Sequence, residues 1–186
     1  IPFVEDRKNC LLIKPTSLFS TDPDEQKRIM ASLQPALKNA IQVLYQLEDD
    51  ELAAEALPTN TNPQLILLYE AAEGGAGVLR QLLDDPDAFA RVAQEALRIC
   101  HFDPTTGADQ GKAERAVEEC VAACYDCLMS YSNQPDHEYL DRQKIKPVLL
   151  QLASSTLKAS PVGVSRAAHL ERLEKLCGST LEKKWL

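Results

Sequence analysis

The chain has 186 residues, 45% of them apolar and only 5% aromatic. That composition suits one medium domain with a core of Leu, Ala, Val and Ile, plus an appended segment. Its 28 acidic against 20 basic residues give a formal charge of −8, which disfavours a module that grips nucleic acid by itself, because phosphate neutralisation supplies most non-specific affinity. No apolar run approaches the roughly 20 residues that cross a bilayer, and the charged opening IPFVEDRKNC is no secretory signal, so a cytoplasmic chain without a membrane partner is expected.

Asn9-Cys10-Leu11-Leu12-Ile13 is a short apolar run stopped by Pro15 and predicts a strand. Residues 17–25 are polar and turn-prone. Leu33, Leu37, Ile41 and Leu44 recur every three or four positions and predict a helix over 24–47, with Pro35 either starting or kinking it. Residues 51–57 fit a strand or a short helix. Pro58-Thr59-Asn60-Thr61-Asn62-Pro63 reads as a loop, and the unbroken apolar run 64–69 as a buried strand. Gly74, Gly75 and Gly77 follow, then helical spacing from Val78 to Leu83. A second helix is expected over 84–99, with Phe89, Val92, Ala93, Ala96 and Leu97 on one face.

Beyond a Pro- and Gly-containing loop at 101–111, residues 112–131 read as a helix interrupted by cysteines. A helix over 142–157, a linker at 160–163 and a helix over 165–176 complete the pattern. The expected fold class is α+β, mainly helical with a small β-sheet and a zinc site of four cysteines. The expected division is a domain at 1–158 and, at 159–186, a linker with the helical start of a further domain. Ser179 and Glu182 have capping-box spacing, and together with the start at Ile1 they suggest a piece of a longer protein.

Cys10 and Cys177 stand apart, whereas Cys100, Cys120, Cys124 and Cys127 cluster. In an intracellular chain such clustering favours a metal over disulfides, and zinc suits four thiolates in a tetrahedron. Geometry adds a condition. On a straight helix Cys120, Cys124 and Cys127 would span about 10 Å, at 1.5 Å per residue, too far to meet at one ion. The helix must therefore break near Cys124 and the C-x-x-C must turn, with Cys100 closing the site across the loop. His101 adjoins Cys100 and could replace it. Buried thiols filling a core are the plainer alternative, and a redox pair is another, although no strand precedes Cys124.

The run Cys120-Val-Ala-Ala-Cys124-Tyr-Asp-Cys127-Leu-Met-Ser-Tyr131-Ser-Asn133-Gln134, followed by Asp136-His137 and Leu140-Asp141-Arg142, resembles the MrfA-like zinc-binding (MZB) domain. Leu67-Leu68-Tyr69-Glu70 and the glycines after Glu73 are similar to that family's strand and Gly-rich turn. The resemblance extends over residues 9–142. It implies four cysteine ligands, at Cys100, Cys120, Cys124 and Cys127, holding structural Zn2+. It further implies a partner: the core of a superfamily 2 DEAD/DEAH-box helicase in the same chain or complex, acting in DNA repair or, in DISARM-type systems, phage defence. DNA would be met through that parent protein. The chain itself has no G-x-x-x-x-G-K-[ST] phosphate loop, and neither a catalytic residue nor a small-molecule substrate is expected of it.

Other features have simpler accounts. Gly74-Gly75-Ala76-Gly77 before a helix invites a phosphate, but Glu70 and Glu73 would repel one, so a tight turn is expected. His137 is expected to be a hydrogen-bonded loop residue, and Asn133 and Gln134 to cap backbone groups near the zinc turn. His169 needs no function. Arg142, Lys144 and Lys146, and near the end Arg166, Arg172, Lys175, Lys183 and Lys184, are expected on solvated helix faces. The rival function is a zinc-dependent hydrolase or nuclease using His101 or His137, which would need an open coordination position.

Overall fold

The structure, a computed structural model, describes residues 7–15, 22–72, 75–158, 164–180 and 183. The sheet is built from β1 (Cys10–Ile13), β2 (Leu52–Thr59) and β3 (Asn62–Glu70), all antiparallel in the order β1-β3-β2. The stretch expected as strand or short helix at 51–57 thus resolves as strand from Leu52 onward. The stretch 58–63, expected as a loop, is mostly strand ends closing on a tight turn at Asn60 and Thr61. In β3, Pro63, Ile66, Leu68 and Glu70 are buried while Leu65, Leu67 and Tyr69 are half-buried. One face lies on the core and the other is only partly covered, so the apolar run is a central antiparallel strand rather than one buried on both faces.

Helix α1 (Pro23–Tyr45) packs across the sheet and buries Met30, Leu33, Leu37 and Ile41. Asp22 caps it by accepting from the Asp24 N–H. The helix starts twelve residues before Pro35 and continues through it, because Leu33, Ala36, Leu37 and Ala40 keep one buried stripe on both sides. Helices α2 (Val78–Asp84), α3 (Ala88–Ile99) and α4 (Arg142–Ala153) complete the layer, α3 lying between α1 and α4. Helix α5 (Arg166–Leu176) is capped by Ser165. The expected linker at 160–163 and Glu182 of the expected capping box lie outside the described residues, although Thr180 is helical and the Lys183 N–H donates to the Ser179 carbonyl.

Glu70 explains the Gly-rich turn. Its carboxylate is 1% exposed and accepts hydrogen bonds from Asn9 Nδ2 (2.9 Å) and from the backbone N–H groups of Gly77 and Leu79 (3.0 Å each). The chain's own anion thus occupies the start of α2, where a phosphate would have sat. Gly75 has a φ of +67°, and a Cβ there would collide with the Glu70 carboxylate, so glycine is required on both counts. Burial pushes the Glu70 pKa up, but the bonds from Asn9, Leu79, Gly77 and Val78 outweigh it and hold it below the usual value. With a folded pKa below the unfolded one, its stabilisation is present above the ordinary carboxylate range and is lost as pH falls through the folded pKa. Glu70→Gln is expected to cost about 1–3 kcal/mol by urea unfolding at neutral pH and to flatten that acid dependence. Equal unfolding curves at neutral and acidic pH would refute the assignment.

The expected helix over 112–131 does not form. The stretch is a series of turns running into 3-10 turns over Tyr131–Tyr139. Val117 and Val121 are 91% and 80% exposed, so no apolar stripe drives helix formation there. Its backbone is used across the fold instead: Cys120 N–H donates to the Gly111 carbonyl (2.7 Å), and Arg142 N–H donates to that of Ala122 (2.8 Å).

Candidate metal centre

Helix α3 ends on Cys100, and the next two residues make a Schellman closure: His101 N–H donates to the Arg98 carbonyl and Phe102 N–H to that of Leu97. The left-handed position of this motif usually belongs to glycine, yet it holds His101 at φ +61°. A non-glycine residue there costs of order 1–3 kcal/mol. The conformation turns the imidazole toward the second cysteine stretch, where Nε2 lies 3.2 Å from Cys124 Sγ. Residues 101–111 then fold back through an isolated bridge between Phe102 and Asp109 and an Asx turn at Asp103.

The C-x-x-C is the turn that ligation requires. Cys127 and Leu128 N–H groups both donate to the Cys124 carbonyl, and Cys124 N–H points at Cys127 Sγ (3.1 Å). Cys120 Sγ is 3.7 Å and Cys124 Sγ 3.5 Å from Cys127 Sγ. The donor atoms of His101, Cys120, Cys124 and Cys127 all lie within 4.8 Å of one another. Tetrahedral zinc, with Zn–S of about 2.3 Å and Zn–N of about 2.0–2.1 Å, requires neighbouring donors roughly 3.5–3.8 Å apart. The cluster fits.

Cys100, expected as a ligand, is fully buried beside this cluster. Its thiol feels Cys120 and Cys124 electrostatically but is not among the four converging donors. Burial pushes its pKa up to about 12, opposed by Arg142. Burial likewise raises the thiols of Cys120 and Cys127. It also lowers His101, which keeps the imidazole neutral and able to ligate. Buried thiols of this kind become thiolates when a cation replaces their protons. Cys10 and Cys177 lie elsewhere and are free.

Arg142 holds the site from behind. Although expected on a solvated helix face, it is 2% exposed. Nε donates to the Cys120 carbonyl (2.9 Å), Nη1 to that of Cys100 (3.2 Å), and both Nη atoms to the Asp109 carboxylate (2.7 and 3.1 Å). The guanidinium also stacks over Phe102. Both stretches of the site are thereby tied to the start of α4. Asn39 on α1 adds a tie, its Nδ2 donating to the Cys127 carbonyl (2.9 Å). Neither role has a local sequence signal. Lys144 pairs with Glu25, and Lys146 lies over Phe102.

His137 is not brought to the cluster. Its Nε2 bonds the Ser130 carbonyl and Asn133 Oδ1, and its ring meets Tyr125 edge-on. Asn133 caps the zinc turn as expected: Oδ1 accepts from Ser130 N–H and Nδ2 donates to the Leu128 carbonyl. These bonds orient the amide, so Nε2 of His137 faces two acceptors.

Three thiols and an imidazole converging between a helix end and a C-x-x-C turn define a zinc-binding domain of small α+β type, whose cofactor is a structural zinc ion. The family profile described as the MrfA Zn-binding domain matches residues 33–128, and the chain belongs to that family. The match includes α1 from Leu33 onward and every cysteine of the cluster. No curated protein and no solved structure matches the chain.

Proposed function

We propose that this chain is a non-catalytic accessory domain of a helicase-type DNA-processing protein, in which zinc staples the loop region 100–131 to α1 and α4. The observation that carries this reading is the closed donor set. Four side-chain donor atoms lie within 4.8 Å of one another, enough to complete a tetrahedron around one ion, whereas catalytic zinc keeps one position for water or substrate. Membership of the MrfA Zn-binding family supports the helicase context, in repair or phage defence. The acidic balance supports contact with DNA through the partner rather than by this chain alone. The test is the DNA-stimulated ATPase of a cognate helicase core with and without the zinc-loaded chain. A rate or affinity that changes at stoichiometric chain supports the reading, and indifference at saturating chain overturns it.

For the ligand set we propose Cys120, Cys124 and Cys127 with His101. The left-handed residue at the end of α3 and its 3.2 Å approach to Cys124 Sγ support His101. Cys100 supports a second, all-sulfur reading, because its buried thiol adjoins the same cluster. X-ray absorption at the zinc edge is expected to give three sulfurs near 2.3 Å and one nitrogen near 2.0–2.1 Å, about the usual distances. His101→Ala should then lose or weaken the metal while Cys100→Ser retains it. Four sulfurs, with the variants reversed, would assign Cys100 instead.

A further inference from the structure

The outer edge of β2 opens onto a cleft of about 370 Å³ whose floor is α1 and whose far wall is the segment following the C-x-x-C. The backbone phase of β2 follows from one bond. Ala71 N–H donates to the Glu51 carbonyl, so in this antiparallel register Glu51, Ala53 and Glu55 turn their backbone groups toward β3. Ala54 and Ala56 therefore turn theirs outward, and no strand pairs with that edge among the described residues. One of the outward groups already holds a lateral donor: Gln34 Nε2 bonds the Ala54 carbonyl at 3.0 Å, where a neighbouring strand's N–H would sit. Small side chains at Ala53, Ala54 and Ala56 leave room for close approach, and no lysine guards the strand.

The charge around this edge is one-sided. Lys38 is the cation of the cleft lining and is paired with Asp49 at 2.9 Å. Asp50, Glu55 and Asp136 line the same cleft with no cation at ion-pair distance among the described residues. Pro35, on the floor, supplies no N–H to the Ala31 carbonyl, leaving that acceptor without its usual helical donor.

We infer that the β2 edge is a docking site for an extended, lysine- or arginine-bearing segment of a partner polypeptide, which adds as a strand and sets its cations against Asp50, Glu55 and Asp136. The acidic lining selects a basic peptide and repels nucleic acid. The site names a surface for the partner contact proposed above, but needs only the folded, zinc-loaded chain and not the helicase assignment.

The test uses the zinc-loaded chain and two synthetic peptides, one alternating Lys and Val and the other Glu and Val, followed by amide chemical shifts. The lysine peptide is expected to shift Ala54 and Ala56 and their neighbours, and the glutamate peptide to leave them in place. Ala56→Pro removes an outward donor without breaking the β2–β3 ladder and should weaken binding about tenfold, as expected for one or two lost hydrogen bonds. Should that variant not fold, Asp50→Lys with Glu55→Lys serves instead and should transfer preference to the glutamate peptide. The inference fails if no shift appears by about 1 mM peptide. It also fails if shifts centre elsewhere, if both peptides bind alike, or if the chain pairs with itself through β2. Metal content and melting, measured on the same samples, report separately on the zinc assignment.

Discussion

Chelation of the zinc is expected to lower the melting midpoint by at least about 10 °C and to release the region 100–131 from its folded form. A structural zinc contributes on the order of 10 kcal/mol in small peptides, and each kcal/mol moves the midpoint of a chain this size by roughly 2–4 °C. The dependence is local in cause and wide in effect. Between α3 and the 3-10 turns the chain has only the Phe102–Asp109 bridge as regular pairing, so the ligands and the side-chain ties from Arg142 and Asn39 take the place of secondary structure in holding it. Yet Cys100, Phe102, Cys120, Cys127 and Leu128 belong to the same buried cluster as α1, α4 and the sheet. Calorimetry with and without chelator, with metal analysis of the same protein, is the measurement. Equal melting together with absence of bound zinc would remove the assignment.

Replacing Arg142 with methionine is expected to destabilise the chain by about 1–3 kcal/mol, the range for leaving buried acceptors without their donor, because its ion-pair partner Asp109 is exposed and the pair is screened by solvent. Methionine preserves the bulk over Phe102, so the loss comes from two carbonyls left without this donor and a carboxylate left without its cation. Zinc affinity should fall too, since the carbonyls of Cys100 and Cys120 anchor both stretches of the site to α4. The pH dependence is a separate signature. The Arg142 guanidinium, against some burial and with help from Gly111 N–H and Gln143, holds Asp109 down to about 2. Its folded pKa lies below the unfolded one, so its stabilisation is full above the ordinary carboxylate range and disappears as pH falls through about 2. Arg142→Met should flatten the acid limb between about pH 4 and pH 2. Urea unfolding across that range is the check, and an unchanged limb would show that the pair does not contribute.

Periodicity located most elements, because burial against a single core imposes it. The three- and four-residue spacing from Leu33 to Ile41 follows the buried face of α1, which Leu44 leaves for solvent, and the apolar run before Glu70 follows β3. The same reasoning failed over 112–131. A helical pattern is a stable helix only if its apolar side finds a surface, and Val117 and Val121 find none. The need for a turn at the C-x-x-C was legible, since a fixed rise per residue forbids three helical cysteines from sharing an ion.

What residue order determined by itself was the metal chemistry: thiols gathered within one short stretch and a tight turn between the last two. Only the tertiary structure decided which neighbours act on that chemistry. The left-handed turn brings His101 Nε2 to 3.2 Å from Cys124 Sγ, and Cys100 lies buried beside the same cluster. Arg142 lies inside rather than on a solvated face, and Glu70 serves as the anion of its own glycine turn. Each depends on contacts between residues distant in sequence, where burial and the count of available hydrogen-bond partners set the outcome and local pattern carries no record of it.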